Sequence, residues 1–98
     1  MKDIKTLLAE KFQDAASIVD IWQIGRFSDT LACYYLRMAF LATSPNEFKR
    51  NIEEAERQNG ISIAASPHQN EDYHKLKLRI AEVNDLGFEK VCELMTQH

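Results

Sequence analysis

The sequence predicts an all-α fold: a compact bundle of four or five helices around a buried central helix at about residues 29–43. Three observations predict it. Leu31 to Ala42, LACYYLRMAFLA, is apolar or aromatic at eleven of twelve positions, interrupted only by Arg37. That run is too short to cross a bilayer, which needs ~20 such residues. Its Leu, Met and Ala favour helix over strand. Second, Ser44-Pro45-Asn46-Glu47 is a capping box with Pro at the first helical position. Third, Ile4, Leu8, Phe12, Ala15, Val19 and Trp22 step by fours and threes, which is one helical stripe.

The elements follow in order. A first helix is expected from Ile4 to Ile24, with Asp3 as N-cap and Gly25 ending it in the position after the C-cap. A second starts at Ser28 or Asp29 and runs to Thr43. A helix that is apolar all round is covered all round, so this one is either the central helix of the bundle or part of a surface buried by a partner. Arg37 within it must reach solvent, a carboxylate or a ligand, because an unpaired buried guanidinium is too costly.

The third helix is expected from Pro45 to Asn59, with Gly60 as its terminator. Lys49–Glu53, Arg50–Glu54 and Glu53–Arg57 are opposite charges four residues apart. Only Phe48, Ile52 and Ala55 form an apolar stripe, so this helix is expected at the periphery. Ile61 to Asn70 loses the helical rhythm, contains Pro67 and reads as an extended linker. The fourth helix begins at Asn70, with Glu71 and Asp72 in its first turn, where the dipole favours acids. Its seam is Tyr73, Leu76, Ile80 and Val83. Two readings of Gly87 stand. One long helix runs through it, at ~1 kcal/mol relative to Ala, or the chain stops at Asn84-Asp85-Leu86-Gly87 and restarts at Phe88. The cluster of Asn, Asp and Gly favours the break. The expected core joins Leu31, Leu36 and Phe40 to Phe12, Val19, Ile52, Ile80 and Val91.

Composition sets the class. The 98 residues make one domain, 1–98, with 45% hydrophobic and 28% charged residues. A net charge of −3 opposes non-specific binding to phosphate backbones, so nucleic acid is not an expected partner. MKDIKTLLAEKF lacks the pattern of a secretory leader, and no lipidation motif is present, so a cytoplasmic location without membrane attachment is expected. Cys33 and Cys92 then act as reduced, small hydrophobes.

The chemical motifs are few. His68, His74, His98, Cys33 and Cys92 show no pairwise spacing that places two ligands on one metal, so neither metal nor cofactor is expected. Cys33 is expected in the core and inert, since a reactive thiol needs a partly exposed, electropositive setting. No nucleophile elbow and no phosphate-cradling glycine loop occurs. Glu53 and Glu54 lie on an ion-paired wet face and not in a cleft that would perturb their pKa. No enzymatic activity is expected.

Ala55-Glu-Arg-Gln-Asn-Gly60-Ile61-Ser62 resembles the first helix and turn of a helix-turn-helix over eight residues, with one residue too many between Ala and Gly. The segment in the recognition position, Ile63 to Asn70, contains Pro67 and neither Arg nor Lys. Lys75, Lys77 and Arg79 cluster on the next helix and keep a small DNA-associated transcriptional regulator as the alternative function. The preferred function is binding to another protein or to itself, as inhibitors, immunity proteins, adaptors and chaperones of this class do. Trp22, Tyr34, Tyr35 and Arg37 are residue types enriched at interface centres, and Glu53 and Glu54 are placed at the rim.

Overall fold

A computed structural model describes residues 18–66 and 70–97, with only the backbone described for 18–22. Three helices follow one another: α1, Ile18–Phe40; α2, Pro45–Ala65; and α3, Glu71–Thr96. No strand occurs among the described residues. The all-α class is therefore as expected, and the described residues hold three helices where four or five were expected of the chain. The first predicted helix up to residue 17, its Asp3 cap, and the core positions Phe12 and Val19 lie outside the described residues and side chains.

The largest difference is at Gly25. The sequence reading ends one helix there and starts another at Ser28 or Asp29, whereas α1 runs through all three. Gly25 and Ser28 are both buried, and they share a face of α1 with Ala32, Leu36 and Ala39. This face lies against α2. A Cβ placed on Gly25 would stand 3.4 Å from the Ser62 carbonyl oxygen and 3.5 Å from Ala65 Cβ. Small side chains on both helices let the backbones approach closely. The packing gained along this seam outweighs the ~1 kcal/mol that an interior glycine costs a helix.

The same argument applies at Gly60. It does not terminate α2, which continues to Ala65 and ends at Ser66, whose N–H donates to the Ile63 carbonyl at 3.2 Å. The buried positions of α2 are Phe48, Ile52, Ala55, Asn59, Ser62 and Ala65, a stripe spaced by threes and fours along its whole length. Asn59 and Ser62 read as polar in the sequence, which hid the second half of this stripe. Their side-chain donors are satisfied internally: Asn59 Nδ2 donates to the Tyr73 carbonyl at 2.9 Å, and Ser62 Oγ donates to the Asn59 carbonyl at 2.7 Å. The expected extended linker is thus helical over its first half. The helix-turn-helix resemblance fails at the same place, since no turn exists at Gly60.

The expected N-caps hold. Ser44 caps α2, its Oγ accepting from the Glu47 N–H at 3.2 Å. The reciprocal half of the box is shifted by one residue: Glu47 Oε2 accepts from the N–H and hydroxyl of Thr43. Asn70 caps α3 through the Asp72 N–H at 2.9 Å. The three expected i, i+4 ion pairs on α2 are replaced by one i, i+3 pair, Arg57–Glu54 at 3.1 Å. At Gly87 the chain leaves helical geometry, with φ 85 and ψ 167, so α3 is kinked where the break was expected.

The core gathers Leu36, Ala39 and Ala42 with Phe48, Ile52 and Ala55 of α2 and Ile80, Val83 and Val91 of α3. The Phe88 ring meets Phe48 edge-on, with centroids 6.1 Å apart. Leu36, Ile52, Ile80 and Val91 are buried as expected, while Leu31 and Phe40 are half-buried. α2 contacts both other helices extensively, and α1 meets α3 only slightly. The central helix is therefore α2, the one expected at the periphery. Among the described residues, the helix expected to be central is packed on one side and leaves apolar side chains exposed on the other.

Candidate functional site

The uncovered side of α1 is the candidate site. Its buried face is Gly25, Ser28, Ala32, Leu36 and Ala39. At 100° per residue, Gln23, Phe27, Thr30, Tyr34, Arg37 and Leu41 fall on the opposite side. All six are exposed. Phe27 is 66%, Tyr34 52% and Leu41 57% accessible. Three large apolar side chains therefore stand seven residues apart in one line, just past the C-terminus of α1 in the case of Leu41. Exposed apolar residues scattered singly are ordinary, whereas these three are aligned on one face.

The expected site residues divide. Tyr34 and Arg37 belong to this face, and Arg37 resolves its burial problem by reaching solvent. Tyr35 is half-buried and packs on the core, its ring edge-on to Tyr34 with centroids 5.3 Å apart. It buttresses the face and does not form it. The Trp22 side chain lies outside the described ones. Glu53 is exposed on another helix, α2, and half-buried Glu54 is held there by Arg57 and by Gln58 Nε2, which donates to it at 3.3 Å. Phe27 and Leu41 were missed. The seven-residue spacing was visible, but a reading that breaks the helix after Gly25 puts Phe27 in a turn.

The electrostatics of α1 change character beside this face. Asp29 is turned toward α3, and burial raises its pKa above the ordinary 3.8, with Asp72 adding repulsion. Cys33 is exposed, which corrects its expected place in the core. Its thiol pKa is nonetheless raised, first by partial desolvation and then by Asp29, with Arg37 and Arg79 opposing, a direction that lowers the thiolate fraction. Tyr73 is raised likewise, chiefly by burial.

Two further features lie on α2 and α3. A cavity of about 380 Å³ opens between α2 and α3, with Ile63, Ala64, Ile80 and Ala81 as walls and Glu56 and Lys77 beside them. Lys75, Lys77 and Arg79 are all exposed on α3, with Leu78 between them 65% accessible. Among the described residues no group of three or more His, Cys, Asp or Glu is placed to hold a metal ion. No described helix is long and apolar enough to cross a membrane. The chain matches no protein-family model, and no curated protein or solved structure shows significant similarity to it.

Proposed function

We propose that this chain acts without catalysis, by binding another protein through the outer face of α1. The observation that carries the reading is the line of Phe27, Tyr34 and Leu41, exposed directly opposite the packed face of the same helix. Aromatic anchors supply large contact area at low entropic cost, and a neighbouring Arg adds energy once desolvated. Tyr34 and Arg37 keep the roles expected of them, Phe27 and Leu41 join them, and the acids of α2 are left to steer association from a distance. The role belongs to the adaptor, inhibitor or chaperone type, in a reducing cytoplasm where Cys33 and Cys92 stay as thiols.

The test is affinity capture from the source cell with wild type, Tyr34→Glu and Leu78→Glu, followed by mass spectrometry. The reading expects a protein retained by wild type and Leu78→Glu and lost with Tyr34→Glu. Capture that is indifferent to Tyr34→Glu in a folded variant removes this face from the function. Duplex DNA binding that falls steeply with salt and is abolished at Lys75 and Arg79 would favour the regulator instead.

A further inference from the structure

We propose that the cavity between α2 and α3 binds a small, neutral ring compound that carries one N–H donor, of the indole type. Size is the first argument. The cavity measures about 380 Å³. A dry cavity of ~150 Å³ already holds a benzene ring, and ligand pockets begin at ~300 Å³. Two fused rings fit. The walls are the second argument. Ile63 and Ala64 of α2 stand on one side, Ile80 and Ala81 of α3 on the other. Apolar walls on both sides suit a flat ring, which gains contact over both faces.

One buried polar group lines the same space. Asn59 is 3% exposed and forms part of the cavity wall. Its Nδ2 is committed to the Tyr73 carbonyl at 2.9 Å, and this bond fixes which way the carboxamide is turned. Among the described residues no donor reaches its Oδ1. No fully enclosed side-chain N or O among them lacks a partner, so this oxygen is not sealed in, and the cavity is the space that reaches it. A largely buried acceptor without a donor favours a ligand that supplies one.

Charge at the mouth selects the neutral form. Glu56 of α2 and Lys77 of α3 stand beside the walls, both exposed and opposite in sign. An ion drawn to one is repelled by the other, and exposed charges contribute little in either direction. The site is separate from the outer face of α1, so either can fail without the other.

Indole titrated into the isotope-labelled full chain, followed by amide-resolved NMR, tests this. Saturable binding is expected, with a Kd on the order of millimolar for so small a compound. Shifts are expected at Gly60, Ile63, Ala64, Lys77 and Ala81 and at the Asn59 side-chain amide, with Phe27 and Tyr34 silent. Benzofuran, the same shape with oxygen in place of the N–H, is expected to bind about tenfold more weakly. Ala64→Leu and Ala81→Leu fill the space from either wall and are expected to weaken indole binding about tenfold or more. Leu78→Glu is expected to leave it unchanged, and circular dichroism checks that each variant folds. Equal binding of indole and benzofuran overturns the contact with Asn59 and with it the class of ligand. Shifts that rise without saturating, that lie outside the cavity, or that persist unchanged in both leucine variants overturn the site.

Discussion

Replacing Gly25 by Ala separates two accounts of α1 by the sign of its effect. If α1 is continuous, position 25 is an ordinary helical residue, and its φ is not positive. The added methyl meets the Ser62 carbonyl oxygen at 3.4 Å, Ala65 Cβ at 3.5 Å and Tyr73 Cε2 at 3.8 Å, all ordinary contact distances. The substitution then recovers most of the ~1 kcal/mol by which glycine disfavours a helix interior, and it reduces the freedom of the unfolded chain. A gain of about 0.5–1 kcal/mol is expected, or roughly 4–8 °C in Tm per kcal/mol for a chain of this size. If Gly25 instead ended a helix in the left-handed conformation, alanine would cost about 1–2 kcal/mol. Urea unfolding followed by circular dichroism resolves a difference of this size. Gly87→Ala is the internal control. Its φ of 85 is strained for alanine although nothing lies within 4 Å of the new methyl, so it should lose about 1–2 kcal/mol from backbone strain alone. A Gly25→Ala variant that loses 1 kcal/mol or more would refute the continuous helix.

Further outcomes follow from the same structure. Ile52→Ala, at a site 1% exposed, should cost about 2–5 kcal/mol in urea unfolding, and half-buried Phe40→Ala should fall short of the ~3–5 kcal/mol of a fully buried Phe. Asp29→Asn should stabilise the protein at neutral pH. The folded state holds this carboxyl protonated to higher pH than the unfolded chain, so its penalty is absent well below 3.8, grows as pH rises through the raised folded value and is constant above it. A pH-independent effect in unfolding titrations would show that charge is not the cause. Cys33 is accessible, yet its thiol pKa is raised, so at mildly alkaline pH it should label more slowly in the native protein than in denaturant. Faster native labelling would show a stabilised thiolate.

Much of this fold is legible where side-chain chemistry alone sets local structure. Ser44 and Asn70 act as caps because nothing competes for the first N–H groups of their helices. The seam of α3 shows because Tyr73, Ile80, Val83 and Val91 are unambiguously apolar. The errors share one cause. Gly25, Ser28, Asn59, Gly60 and Ser62 are residues that end helices when solvated, and here all except half-buried Gly60 are buried between helices, where small size is what matters. A tertiary contact overrode local propensity, and no local signal could report it. That misreading also hid half of the candidate site. With the helix broken at Gly25, Tyr34 and Arg37 were found as types of residue, while the line that joins them to Phe27 and Leu41 was not.

The proposed binding surface of this protein is the outer face of α1. Amide-resolved NMR spectra recorded over a dilution series, and with any captured protein added, test it residue by residue. The account predicts shifts along Gln23, Phe27, Thr30, Tyr34, Arg37 and Leu41, with α3 silent around Leu78. Shifts confined to the cavity between α2 and α3, at Ile63, Ala64, Lys77 and Ala81, would contradict it.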